Sequence, residues 1–333
     1  MKNISYSIFF ILIILSCGSS DDDPTIEDSD TNISTYEGTG SLTQGLATTT
    51  TANLFTNGQR VAGLGKITST DNREWIVPAE VNYTQSTFPF ASELYSPYGN
   101  KYTSAFSALA ALDGSDIIEI DAIGDVITGY IFADNYFELY VNGKEVGKDA
   151  VPFTDFNSHI VRFKVAKPYS IAMKLVDWEE NLGLGSEDQA TPYHPGDGGM
   201  VAVFKDASDN VVAITDGNWK AQTYYTAPIQ GLACLSENGN TRSSTSCNSA
   251  NATDGWEFYG VHWAIPADWS AKSFDDSGWP SATTYTNNTI GVDNKQSYTN
   301  FTNIFDDSSN DALFIWSTNV VLDNLVLVRY TVD

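Results

Sequence analysis

The sequence is short of basic side chains, histidine, cysteine and helical periodicity, and each shortage closes off a class of function. Only 17 lysines and arginines stand against 42 acidic residues, a formal charge of −25. Such a surface repels nucleic-acid phosphate, anionic lipid and acidic polymers. The same acidity also serves solubility alone. The histidines, His159, His194 and His262, occur singly and without metal-ligand spacing. There is no Gly-x-Ser-x-Gly elbow, no His-Glu-x-x-His pair, no phosphate loop and no internal repeat. Carboxylate pairs such as Glu179 with Glu187, or Asp177 with Asp197, abound in so acidic a chain. A sequence does not supply the separation of roughly 5 or 9 Å that glycoside hydrolysis requires of them.

What is present begins with a hydrophobic fraction of 42% over 333 residues, ample for a buried core. Lys2 precedes the apolar run Ile8 to Ile14, long enough for a signal-peptide core and too short to span a bilayer comfortably. Leu15-Ser16-Cys17-Gly18 then has the form of a bacterial lipobox, which predicts a signal peptide over 1–16 and diacylation of Cys17. Acyl chains would tether the mature protein without a transmembrane helix. Ser19-Ser20-Asp21-Asp22-Asp23 resembles the acidic export tag of surface lipoproteins in one group of Gram-negative bacteria, implying display at the outer membrane, facing outward. Residues 17–36 are too polar to offset backbone ordering and read as a flexible acidic leash. The Gly- and Thr-rich stretch 37–74 reads either as a spacer or as peripheral strands.

From Trp75 onward the pattern is strand after strand. In Tyr136-Phe137-Glu138-Leu139-Tyr140-Val141 apolar side chains alternate with polar or amphipathic ones, the period of a half-buried strand, and Asn142-Gly143 supplies a tight hairpin turn. Further strands are predicted at 74–83, 117–120, 126–132, 161–165, 171–176, 200–204, 211–214, 314–316 and 325–332, with a short helix at 104–112. The last strand is expected to pair near the first. This spacing argues for an all-β antiparallel sandwich or jelly roll over 75–333. Cys234 and Cys247 sit in a polar loop and, in an oxidising compartment, are expected to form a disulfide. Asp306-Asp307-Ser308-Ser309-Asn310-Asp311 offers hard oxygen atoms in a turn, either as a structural calcium site through Asp306, Asp307 and Asp311 or as a solvated acidic turn.

The hairpin, followed by Thr215-Asp216-Gly217-Asn218-Trp219-Lys220 and Phe274-Asp275-Asp276-Ser277-Gly278-Trp279, resembles the galactose-binding-domain-like jelly roll, an accessory module of many glycoside hydrolases and rhamnosidases. The resemblance implies core positions for Trp219 and Trp279, calcium as a structural cofactor, and non-catalytic carbohydrate binding. The long excursion 177–199 gathers aromatic, acidic and glycine residues at one edge of the sandwich, where binding groups collect. A sugar ring offers an apolar face and a rim of hydroxyls, which an aromatic plate with nearby carboxylates matches. The ligand-site expectation is therefore Trp178, Glu179, Glu180, Tyr193, His194 and Asp197, with Trp256 and Trp263 as a second aromatic group. The function expected is capture of a glycan or polysaccharide, with outer-membrane uptake partners. A structural or adhesive lipoprotein contacting proteins is the alternative, and a glycosidase or lyase the third.

Overall fold

The computed structural model describes residues 36–58, 60–153, 155–178, 182, 195–248 and 258–333. The chain runs through β1 (Ser41–Gln44), β2 (Thr48–Thr51), β3 (Leu64–Thr68), β4 (Glu74–Val77), β5 (Ser92–Tyr95), α1 (Ala105–Ala110), β6 (Ile117–Glu119), β7 (Asp125–Asp134), β8 (Tyr136–Val141) and β9 (Lys144–Lys148). It continues with β10 (Ser158–Val165), β11 (Tyr169–Val176), β12 (Gly199–Lys205), β13 (Val211–Ile214), β14 (Lys220–Ile229), β15 (Ser236–Asn238), β16 (Thr241–Ser243) and β17 (Tyr259–His262). The last part holds β18 (Thr283–Tyr285), the one-turn helices α2 (Asn287–Ile290), α3 (Gln296–Thr299) and α4 (Thr302–Phe305), then β19 (Phe314–Trp316) and β20 (Asp323–Val332).

The architecture is all-β and almost wholly antiparallel, and it fits a β-sandwich. A seven-stranded sheet, ordered β1-β17-β14-β20-β11-β8-β9, faces an eight-stranded one whose path is β18-β19-β12-β7-β10-β5, with β13 beside β12 and β6 beside β10. Phe137, Leu139, Ile171, Met173 and Leu175 of the first sheet share one core with Ile131, Phe163, Val201 and Phe314 of the second. The hairpin turn forms as its residues require: Asn142 and Gly143 both take positive φ, 52° and 81°, the combination that matches strand twist in a two-residue loop. The last strand goes to the centre of its sheet, between β11 and β14, rather than beside the first strand.

The seven-stranded sheet is buried on its outer face as well. Tyr136, Tyr140, Leu327 and Trp269 belong to a second apolar layer together with Phe55, Ile67, Val77 and Phe88. The cover comes from a three-stranded sheet, β2-β3-β4, and from loops around residues 78–91 and 263–279. Thr48 to Thr51 suit β2 because β-branched side chains pack well on a pleated surface. β8, expected half-buried, is therefore buried along its whole length. Its polar residues survive there because each is paired. Glu138 accepts the Asn82 backbone N–H and the Tyr140 hydroxyl at 2.7 Å, and lies 3.2 Å from Lys174 Nζ. Burial by itself would raise its pKa; Lys174 and these hydrogen bonds together outweigh that and hold it below the usual value. Lys148 Nζ, on β9, donates to the carbonyls of Asn82, Tyr83 and Gln85, each at 2.8 Å. Two buried charges thus fasten the covering loop to the sheet.

Candidate functional site

The cover leaves a cleft where β4 ends the small sheet. Its volume is about 420 Å³, and its walls include Trp75, Tyr224, Tyr225, Trp263, Ile265 and Leu325, with Lys66, Glu74 and Glu80 among the polar groups. β4 is an edge strand, so one side of its backbone carries no sheet partner. Trp75 opposes Ile67 in the β3–β4 ladder, and Lys66 opposes Ile76.

Trp75 is held from two directions. Its Nε1 donates to Ser69 Oγ at 2.9 Å, and Ser69 in turn donates to Asp71, which also accepts from Ser41 at 2.7 Å. The hydrogen bonds from Ser69 and then Ser41 keep the Asp71 carboxyl below its ordinary pKa. The indole is stacked on His262, centroids 5.0 Å apart, and His262 is stacked in turn on Tyr225 at 4.4 Å. Burial pushes His262 down to about 3, so the imidazole is neutral at pH 7, with Nε2 2.9 Å from Thr43 Oγ1. A neutral ring between two aromatic planes is a spacer that sets the height of Trp75, and Trp75 itself stays half-buried. Deeper in the wall, Arg242 lies between Tyr224 and Trp263, 4.8 and 4.7 Å from their centroids. Glu237 ties Trp263 Nε1, at 3.3 Å, to the Tyr36 hydroxyl and to Thr39. The exposed Lys66 and Glu74 side chains pair at 3.4 Å.

Such a cleft offers an aromatic face, a neutral floor and charged hydrogen-bonding groups. An aromatic plate can meet an apolar ring face, and carboxylates and an ammonium can meet hydroxyls.

Of the described residues singled out from sequence, Trp178 lies outside this cleft and Trp263 lines it. Trp178 is fully buried, its N–H held by Asn135 Oδ1 and its Nε1 donating to Gly63 O at 2.9 Å. It packs edge-on against Tyr136 and is not available as a stacking plate, because the small sheet closes over the end of β11. Trp263 is likewise only 5% exposed, though it does help wall the cleft. Asp197 is half-buried beside Gly198. Glu179, Glu180, Tyr193, His194, Trp256, Cys17 and the leash as far as residue 35 lie outside the described residues, as does Glu187.

Cys234 and Cys247 are joined by a disulfide, Cα atoms 4.9 Å apart. In the acidic turn, Asp306 accepts the Tyr298 hydroxyl and Asp307 accepts the Ser309 N–H at 2.8 Å, while Asp311 is exposed. Among the described residues no three His, Cys, Asp or Glu side chains gather as a metal centre would need.

Trp75 was missed as a site residue because a single Trp in a four-residue strand reads like any other core aromatic. Only its neighbours Glu74 and Ile76, both exposed, mark it as the inward position of a strand at the surface. No family model matches the chain, and no curated protein or solved structure does.

Proposed function

We propose that this chain is a non-catalytic glycan-binding protein of the galactose-binding-like jelly-roll type, lipid-anchored through Cys17 and displayed at the cell surface. The observation that carries the reading is the Trp75 cleft: a half-buried indole fixed by Ser69 and His262 at the mouth of a 420 Å³ recess with carboxylates around it. The three sequence motifs and the sandwich architecture support the jelly-roll assignment. The step from such a fold to a sugar is one of site chemistry, since folds of this kind serve many functions. The strongly acidic chain favours a neutral glycan over an acidic one.

The test is a glycan array covering neutral plant, algal and host saccharides, probed with the soluble chain from residue 18 onward, without the lipidated Cys17, beside its Trp75→Ala variant. Binding that Trp75→Ala weakens about tenfold or more supports the reading, since tenfold corresponds to about 1.4 kcal/mol, within the range for a stacking anchor. Silence across the array overturns it and leaves the adhesive alternative.

A further inference from the structure

A second recess of about 450 Å³ opens on the eight-stranded side of the sandwich, between the end of β5, the approach to β10 and the start of α3. Tyr95, Asp155, Phe156, Asn294, Gln296 and Ser297 are among its walls. Phe156 is stacked on Phe132 at 5.7 Å and carries Lys295 Nζ 4.8 Å from its centroid. Tyr95 is half-buried, its hydroxyl donating to Gln296 Oε1 at 3.0 Å, with Lys101 Nζ farther off, 6.0 Å from its centroid. Asn294, Gln296 and Asp155 are exposed. Ser297, 1% exposed, is also among the lining residues.

We propose that this recess is a second subsite for a neutral hexose unit, so that one chain holds two glycan segments. The inference rests on the glycan-binding reading above. In it, Tyr95 supplies the apolar plate, and the Asn294 and Gln296 amides and the Asp155 carboxylate take ring hydroxyls. The Trp75 cleft lies on the outer face of the seven-stranded sheet, so the two recesses belong to different sheets. Two separate sites would bridge polymer strands and raise apparent affinity for long chains over short ones with no added contact.

The experiment is calorimetric titration of the same soluble chain with neutral hexasaccharides of β-1,3-glucan, β-1,4-galactan, β-1,4-xylan and α-1,6-mannan. The expected result is a stoichiometry near two for at least one of them. It falls to one in Trp75→Ala and to one in either Tyr95→Ala or the exposed, fold-neutral Gln296→Ala. A stoichiometry of one that Trp75→Ala abolishes and Gln296→Ala leaves untouched overturns the second subsite while the first stands. Absence of heat with every hexasaccharide overturns both.

Discussion

Arg329, in the middle strand of the seven-stranded sheet and 1% exposed, donates through Nε to the Asp276 carboxylate at 2.8 Å. Its other nitrogens reach the carbonyls of Trp269 and Ala271, and Phe274 lies 5.1 Å from the guanidinium carbon. The second aspartate of Phe274-Asp275-Asp276-Ser277-Gly278-Trp279 is thus the counter-charge that lets an arginine sit under the cover. Trp279, three residues on, packs with Tyr224 and Phe274 beneath the same cover.

Asp276→Ala would strand that guanidinium. Removing one partner of a buried pair costs roughly 3 to 5 kcal/mol, and because Asp276 itself is a quarter exposed the lower end, about 2 to 4, is expected in urea unfolding. Arg329→Met with Asp276→Ala should cost less than Asp276→Ala alone. A double variant as unstable as the sum of the singles would show the pair to be uncoupled.

Lys148→Met removes an ammonium from three carbonyls. Bonds to a charged donor are worth about 1.5 to 3 kcal/mol each in isolation, but the freed carbonyls regain water if the loop lifts, so a net loss of about 2 to 4 kcal/mol is expected. Hydrogen exchange should show the amides of Gln85 and Phe88, which close the turn in the covering loop, losing protection before those of β11. Equal loss in both would mean that the loop and sheet open as one unit.

The two tryptophans separate binding from folding. Trp75→Ala should lower glycan affinity about tenfold or more with only a modest drop in melting temperature. Trp178→Ala removes a fully buried indole and should cost roughly 3 to 5 kcal/mol, with unchanged affinity in whatever fraction folds. Affinity lost in Trp178→Ala at full stability would return that residue to the site.

Asp323 gives a pH signature. Its carboxylate accepts hydroxyls of Thr226, Ser244 and Ser317 at 2.7, 2.9 and 2.6 Å, yet burial dominates and pushes its pKa up to about 6. A carboxyl raised in the folded state burdens stability while it is ionised. The burden lifts as pH falls through about 6 and is gone below the unfolded value near 3.8. Relative to Asp323→Asn, the wild type should gain about 2 to 2.5 kcal/mol between pH 7 and pH 4, somewhat under two pKa steps of about 1.4 each. His159 and His262, held neutral by burial with values near 3, lose stability over that range, but they do so equally in both proteins. A stability difference that stays flat with pH would show Asp323 to titrate normally.

The hairpin at Asn142-Gly143, most of the strands and the disulfide were legible because each rests on a local signal: a two-residue turn, a period of two, a pair of cysteines in a polar loop. Trp219, whose core position the resemblance implies, is fully buried and stacked on Tyr330 at 5.2 Å. The outer cover was legible only as one of two open readings of 37–74, a spacer or peripheral strands, and the polar residues it buries were not. Glu138, Lys148, Lys174 and Arg329 look solvent-facing in a strand pattern, and their burial depends on partners far away in the chain. Asn82 is 56 residues from Glu138, and Asp276 is 53 from Arg329. The cleft failed to show for the same reason, being assembled from β3, β4, β14 and the segment after β17. Trp178 misled because its neighbours in sequence are polar, while its neighbours in space are Gly63 and Tyr136.

Glu237 joins Tyr36, which precedes β1, to Trp263 in the cleft wall. Under the proposed anchoring before Tyr36 and glycan binding at Trp75, tension entering at Tyr36 would pass along the backbone into β1 and across its four-residue ladder with β17, the strand that leads to Trp263. That edge ladder would bear the load, with the Tyr36–Glu237–Trp263 contacts as a clamp beside it.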